Sequence, residues 1–244
     1  MLLWLSLASA LMGQDLRIAH IANAGVMVSC GEESALVDAL FREGVEGYET
    51  HLPEQREQLE TARAPYDRVR VILATHRHRD HFDAQAVARH LKQNGKALFA
   101  GTAQTAGEVR KAGGERSEVV TWGSDRQWGT LRVSFLKLPH NPPHRDTIEN
   151  TAIVLRWCGK TLLFTGDADM RNDEFEALRL DRSPVDTLMA PWWFLTSARG
   201  REIVDRIVKP KQVWALHGDL ENSQRWQTQV RANYPSASIG FRGK

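Results

Sequence analysis

The feature that most constrains this chain is a junction. Residues 69–75 (VRVILAT) form a run rich in β-branched side chains that reads as a buried strand. The run passes directly into His76-Arg77-His78-Arg79-Asp80-His81. Imidazole nitrogen and carboxylate oxygen are the donors that zinc and its first-row neighbours prefer. In a tight loop at a strand end, His76 and His78 can point to one side together. Asp80 and His81 then turn onto an adjacent position as the next helix begins. So many donors in so short a segment exceed what one metal usually takes from one loop, and the spacing points to two metals. Arg77 and Arg79 are expected to face away, because like charges beside a cation are costly.

Such a loop needs partners, and loops at other strand ends are the segments that can reach a shared site. Three positions fit: His140 follows the strand-like residues 133–138, Asp167 follows 161–165 within TGDAD, and His217 follows 213–216. His144 lies four residues beyond His140 in HNPPH and is the alternative there. His140 is preferred because it directly follows the strand.

The rest of the chain alternates strand-like and helix-like stretches. Residues 16–21, 26–29 and 35–39 read as short strands, with Gly25 and Cys30-Gly31 as turn signals. Residues 84–93 and 102–112 read as helices, 97–100 as a strand, and 131–138, 152–157 and 161–165 as further strands. The tail reads as a helix over 198–208, a strand over 212–216 and a last helix near 223–233. One internal echo organises this series. Asn23, a strand, Cys30-Gly31, a strand and Asp38 are repeated as Asn150, a strand, Cys158-Gly159, a strand and Asp167. Two sheets built alike and facing each other, with helices outside, are the expected result. The cysteines then sit on separate hairpin turns. A Cys30–Cys158 disulfide is not expected, because a bridge needs Cα atoms within about 7 Å.

With these residues in view, the chain resembles the metallo-β-lactamase superfamily over nearly all of residues 15–244. The family's HxHxDH motif stands here as His76, His78, Asp80 and His81. Its later single His matches His140, its Gly-Asp motif Gly166-Asp167, and its closing His His217. The resemblance implies a four-layer αββα sandwich of two mixed β-sheets flanked by helices. It implies one metal held by His76, His78 and His140, a second held by Asp80, His81 and His217, and Asp167 bridging them. Two zinc ions are expected, with manganese or iron as alternatives.

The chemistry expected from such a pair is hydrolysis. Two divalent cations about 3.5–4 Å apart lower the pKa of a shared water and polarise the oxygen under attack. Asp80 and Asp167 are the expected catalytic carboxylates, and the expected reaction is cleavage of an ester, lactone, amide or phosphodiester in a small molecule by a metal-activated hydroxide. The opening IANAGVMVS and the closing ALHGD look closer to the lactonase-like branch, in which a His often stands where Asn23 does here. Alternatives are a diiron redox protein of the same fold and a true secreted β-lactamase. The redox branch tends to exchange a histidine of the motif for a carboxylate and to carry a flavin domain. The β-lactamases generally replace the Asp matched by Asp167.

Composition narrows the partners. Lys and Arg number 32 against 30 Asp and Glu, a net charge of +2, which argues against a nucleic-acid binder. Residues 1–12 (MLLWLSLASALM) are apolar and uncharged, too short for a membrane span of about twenty residues. They fit the core of a secretory signal peptide, with Ala8-Ser9-Ala10 as cleavage site. A signal peptide over residues 1–10, or as far as 14, and a periplasmic or secreted location are therefore expected. Pro191-Trp192-Trp193-Phe194 is read either as a cleft wall or as core filling. Asp38, and secondarily Asn23, are candidates for orienting ligand histidines. His20, His51 and His90 have no donor-rich neighbours, Asp169 and Asp219 are read as caps of helices or turns, and residues 44–64 as a lid or a solvated helix.

Overall fold

Two hairpins of the same design recur, one in each of two sheets. The computed structural model describes residues 15–180 and 184–242, so the expected signal segment lies outside the described residues. In the first sheet β1 (Leu16–Ala22), β2 (Gly25–Cys30) and β3 (Glu33–Val37) pair antiparallel. Then β4 (Val69–Leu73), β5 (Leu98–Gly101) and β6 (Ser117–Val119) continue it in parallel. The second sheet repeats the plan. In it β7 (Ser124–Trp128), β8 (Leu131–Lys137), β9 (Thr151–Trp157) and β10 (Lys160–Phe164) are antiparallel, and β11 (Thr187–Pro191), β12 (Gln212–Leu216) and β13 (Ser238–Ile239) follow in parallel.

Side-chain alternation decides what each face meets. In β9, Ile153, Leu155 and Trp157 point into the core between the sheets, while Ala152 and Val154 point outward. In β3, Ala35 and Val37 face that central core and Leu36 the opposite side. The outer face of the first sheet is closed by α1 (Pro53–Glu60), α2 (Ala84–Gln93) and α3 (Ala103–Lys111) through Leu59, Val87, Leu91 and Val109. The second is closed by α4 (Asn172–Ala177), α5 (Trp192–Thr196), α6 (Ala198–Glu202) and α7 (Ser223–Asn233) through Phe175, Phe194, Trp226 and Val230. The result is the four-layer αββα sandwich. Each buried Leu, Ile or Phe contributes about 1.5–3 kcal/mol, so three apolar layers stabilise it from both faces of both sheets.

Two local expectations change. The helix over 198–208 is not uniform: α6 widens into a π-helix at Ile203–Val208, closed by Lys209 in the left-handed conformation (φ 49°). The helix within residues 44–64 is not a free one, because α1 docks on the first sheet through fully buried Leu59.

The larger correction concerns the cysteines. Cys30 and Cys158 form a disulfide, with Cα atoms 6.1 Å apart across a sequence separation of 128. The hairpins are separate, but they occupy equivalent places in two sheets packed face to face, so their turns meet. The bridge joins the sheets at the strand ends opposite Asp38 and Asp167.

Candidate metal centre

Four loops converge beyond the strand ends, and each is shaped by its own backbone. After β4 the chain turns tightly, with the His81 and Phe82 amides both donating to the His78 carbonyl at 3.0 and 2.9 Å. Asp83 then caps α2 by accepting from the Ala86 amide at 2.7 Å. His140 follows β8 and pairs as an isolated bridge with Ala168, just past Asp167. Gly166 precedes Asp167 with φ 55°, and a Cβ there would lie 2.3 Å from Asn150 Oδ1, so only glycine fits this close approach. His217 follows β12 in the left-handed conformation (φ 61°), held by its amide donating to the Asn23 carbonyl at 3.1 Å.

These loops bring all seven expected donors together in two groups. His76, His78, His140 and Asp167 form one; Asp80, His81 and His217 form the other, and within each the donor atoms lie within 4.8 Å of one another. Asp167 also reaches across: its Oδ1 is 3.5 Å from His81 Nε2, and its Oδ2 3.7 Å from His217 Nε2 and 4.0 Å from His140 Nε2. Asp80 Oδ2 lies 3.0 Å from His217 Nε2. His144 is exposed and outside both groups, its ring 4.9 Å from that of His78. Arg77 and Arg79 turn outward toward Glu108 and Glu43.

The hydrogen bonds behind the donors fix which nitrogen faces inward. The Thr75 hydroxyl donates to Asp38 Oδ2 at 2.7 Å, so its oxygen accepts from His76 Nδ1–H at 3.0 Å and leaves His76 Nε2 toward the centre. His81 Nδ1–H donates to Asp38 Oδ2 at 3.0 Å, and His140 Nδ1–H to the Asn141 carbonyl at 2.9 Å. The Nε2 atoms of His81 and His140 and Asp167 Oδ1 are then buried with no hydrogen-bond partner among the described residues. Buried polar groups are rarely left so. Imidazole and carboxylate atoms orphaned around shared points are what divalent first-row metals would satisfy, so the residues fit such ions.

Electrostatics separate the donors into two kinds. Burial, reinforced by the surrounding imidazoles, pushes His76 well below its ordinary value and His78 down to about 4, so both rings offer lone pairs at neutral pH. Burial opposes ionisation of Asp80, yet His81 and His217 hold its carboxyl below the usual carboxylate range. Burial likewise opposes a proton on His81, but Asp167, Asp80 and Asp38 together push it up to about 10, so without an ion its Nε2 keeps a proton that a bound cation would displace.

A cavity of about 870 Å³ opens over the two groups, lined by Tyr48, His144, Ile148 and Trp193 besides the donors. The helical turn of α5 divides the aromatic segment between both expected roles. Trp193 meets the His217 ring edge-on at 4.7 Å in the cavity, while Trp192 stacks on Trp226 and Phe194 packs on Phe175 in the core. Tyr48 lies outside every sequence motif, and its ring meets His217 edge-on at 4.5 Å. Asn23 donates to the Asp80 carbonyl at 3.0 Å and to Asp80 Oδ2 at 3.2 Å, so it orients a donor side chain as Asp38 does. His90 is a buried core residue donating to the Leu59 carbonyl, and Asp219 caps a turn through the Glu221 amide.

The family model described as a Beta-lactamase superfamily domain matches residues 35–227. The chain belongs to that superfamily. Among curated proteins no sequence relative is found. Its fold is similar to that of the isothiocyanate hydrolase from Delia radicum gut bacteria, with TM-score 0.67 and 16% identity over 93% of this chain and 97% of that one. It is also similar to Zn2+-bound PqqB from Methylobacterium extorquens, with TM-score 0.61 and 12% identity over 90% and 85%. CmlA, a diiron β-hydroxylase from Streptomyces venezuelae, matches with TM-score 0.66 and 15% identity over 93% of this chain. The chain spans about half of CmlA, 53% of its length. Likeness at these identities shows the fold alone and leaves the substrate to be argued from the site.

Proposed function

We propose that this superfamily member is a dinuclear metal-dependent hydrolase that cleaves an ester, lactone, amide or phosphodiester bond in a small molecule. The observation that carries the reading is Asp167, one buried carboxylate within reach of imidazoles from both donor groups. His76, His78 and His140 would hold one ion, Asp80, His81 and His217 the other, and Asp167 both. Two such ions, zinc in the first instance, lower the pKa of a water and polarise the bond under attack. The chain's own residues do the rest. Asp38 and the Asn141 carbonyl hold His81 and His140 in the tautomer that leaves Nε2 free, and Thr75 does so for His76. Asp167 and Asp80 supply the negative charge that orients the attacking water. The cavity has the size of a small-molecule site.

Metal-loaded protein should hydrolyse at least one member of a panel of lactones, carboxylic esters, phosphodiesters and β-lactams. Asp167→Asn and His78→Ala should lower that rate at least a hundredfold. Retention of iron without hydrolysis of any panel member, or a fully active Asp167→Asn, overturns the reading. We propose further that the protein is exported, to the periplasm or outside. The Cys30–Cys158 disulfide supports this, since such bonds persist in oxidising compartments. Fractionation that recovers full-length protein from the cytosol with free thiols overturns it.

A further inference from the structure

The loop between β3 and α1 carries a side chain that neither the motifs nor the donor groups use. Tyr48 is half-buried and lines the cavity beside Asp80, Asp167 and His217. Its ring is fixed edge-on to the His217 imidazole, 4.5 Å between centroids at 88°. Its hydroxyl has no hydrogen-bond partner among the described residues and is accessible rather than buried. The backbone that carries it is tied down on both sides. Tyr48 forms an isolated bridge with Asp219, the Leu220 amide donates to the Gly47 carbonyl at 2.8 Å, and buried Glu49 accepts from the Arg242 amide at 2.7 Å. Arg242 also donates to the Thr50 carbonyl at 3.0 Å. A donor at the cavity wall on a backbone tied down at both sides, with no acceptor among the described residues, is arranged for a group that enters the cavity.

We propose that Tyr48 is a catalytic residue whose phenolic O–H donates a hydrogen bond to the substrate oxygen on which negative charge develops. This rests on the hydrolase reading above. The proton stays on the phenol throughout, so no bond is made or broken at Tyr48. The ring is positioned by His217, and the donor is therefore placed on the side of the Asp80, His81 and His217 group. Donation to a developing oxyanion strengthens as charge builds, so the contact acts on the rate of the chemical step more than on ground-state binding.

Tyr48→Phe keeps the ring and its contact with His217 and removes only the O–H. Metal-loaded wild type and variant are titrated calorimetrically with phenylphosphonate, whose tetrahedral anion probes the same donor without turnover. The variant should bind phenylphosphonate at least tenfold more weakly, with metal content and melting temperature unchanged. On whichever panel substrate the wild type cleaves, kcat should fall ten- to a hundredfold while KM moves less than twofold. Indistinguishable phosphonate titrations overturn the proposal, and so does a variant that loses metal, because the role is then structural. Failure of the hydrolase reading shows separately, as a wild type that cleaves no panel member whatever the titrations give.

Discussion

Asp38→Asn removes one hydrogen-bond acceptor and changes almost nothing in volume. Asp38 is buried, and its carboxylate accepts the Thr75 amide at 2.7 Å through Oδ1 and both the Thr75 hydroxyl and His81 Nδ1–H through Oδ2, at 2.7 and 3.0 Å. Its backbone is left-handed (φ 50°), a conformation Asn tolerates as well as Asp, so the exchange adds no strain. Asn keeps the acceptor for the Thr75 amide, and the Thr75 hydroxyl can rotate to accept from the new NH2 group. His81 cannot adapt without cost: its Nδ1–H then faces an NH2 group and is left buried and unpaired. Loss of a hydrogen bond to a charged acceptor costs about 2 kcal/mol, which is a fall of roughly 4–8 °C in melting temperature for a chain of this length. An outer partner of a ligand histidine is worth about 10–100-fold in metal affinity. Asp38→Ala strands all three donors and should cost roughly 3–5 kcal/mol. Urea denaturation of metal-free protein gives the stability, and titration with zinc gives the affinity of each site. Two zinc equivalents bound by Asp38→Asn at wild-type affinity would refute the tautomer argument.

Two further outcomes follow from residues away from the centre. Replacing both Cys30 and Cys158 by Ser frees a loop with a sequence separation of 128 and should cost about 5 kcal/mol; dithiothreitol should lower the urea midpoint of the wild type and leave the double variant's unmoved, and a wild type insensitive to reductant would contradict the bridge. Burial pushes His51 down to about 4 from an ordinary 6.5, so the unfolded chain takes up the proton first: the contribution is whole above pH 6.5, is lost as pH falls, and is gone below about 4. The difference is worth about 3 kcal/mol, and His51→Gln should lose that much less stability than wild type between pH 7 and 4 in the metal-free protein; parallel losses would exclude His51 as the cause.

What could be read in the sequence was whatever a short segment determines by itself. The β-branched run before His76 must be a buried strand, and its end must be a loop, so the donor segment was placed without tertiary information. His140, Asp167 and His217 were found for the same reason, each following an apolar run. Trp193 was half legible, because the helical turn of α5 sends adjacent aromatics to different layers and no periodicity within so short a segment shows it. Tyr48 was not legible. Its segment is polar and irregular, and what fixes it is pairing with Asp219 and anchoring by Arg242, both remote in sequence. The disulfide failed for a related reason: the echo correctly separated the two hairpins along the chain, but separation along the chain does not set distance once two like sheets are stacked.

The same echo explains why the centre is asymmetric on a scaffold that is nearly symmetric. Asn23 and Asn150 occupy equivalent places ahead of β2 and β9, and both are fully buried. Asn150 donates only to backbone, the Leu138 and Thr165 carbonyls at 2.7 and 3.1 Å, and so ties together the strand ends that precede His140 and Asp167. Asn23 donates to the Asp80 carbonyl and carboxylate, and its own carbonyl receives the His217 amide, so it positions two donors of one group. Asp38 and Asp167 diverge in the same way. Asp38 spends both oxygens on Thr75 and His81 behind the centre, whereas Asp167, set beyond the glycine turn at Gly166, points its oxygens at imidazoles of both groups. One half therefore supplies the loop of four donors and the groups that orient them, and the other supplies the single residues that close the site. The two aspartates are alike in kind, and what separates their roles is that Asp38 is held behind the donors while Asp167 faces the imidazoles of both groups.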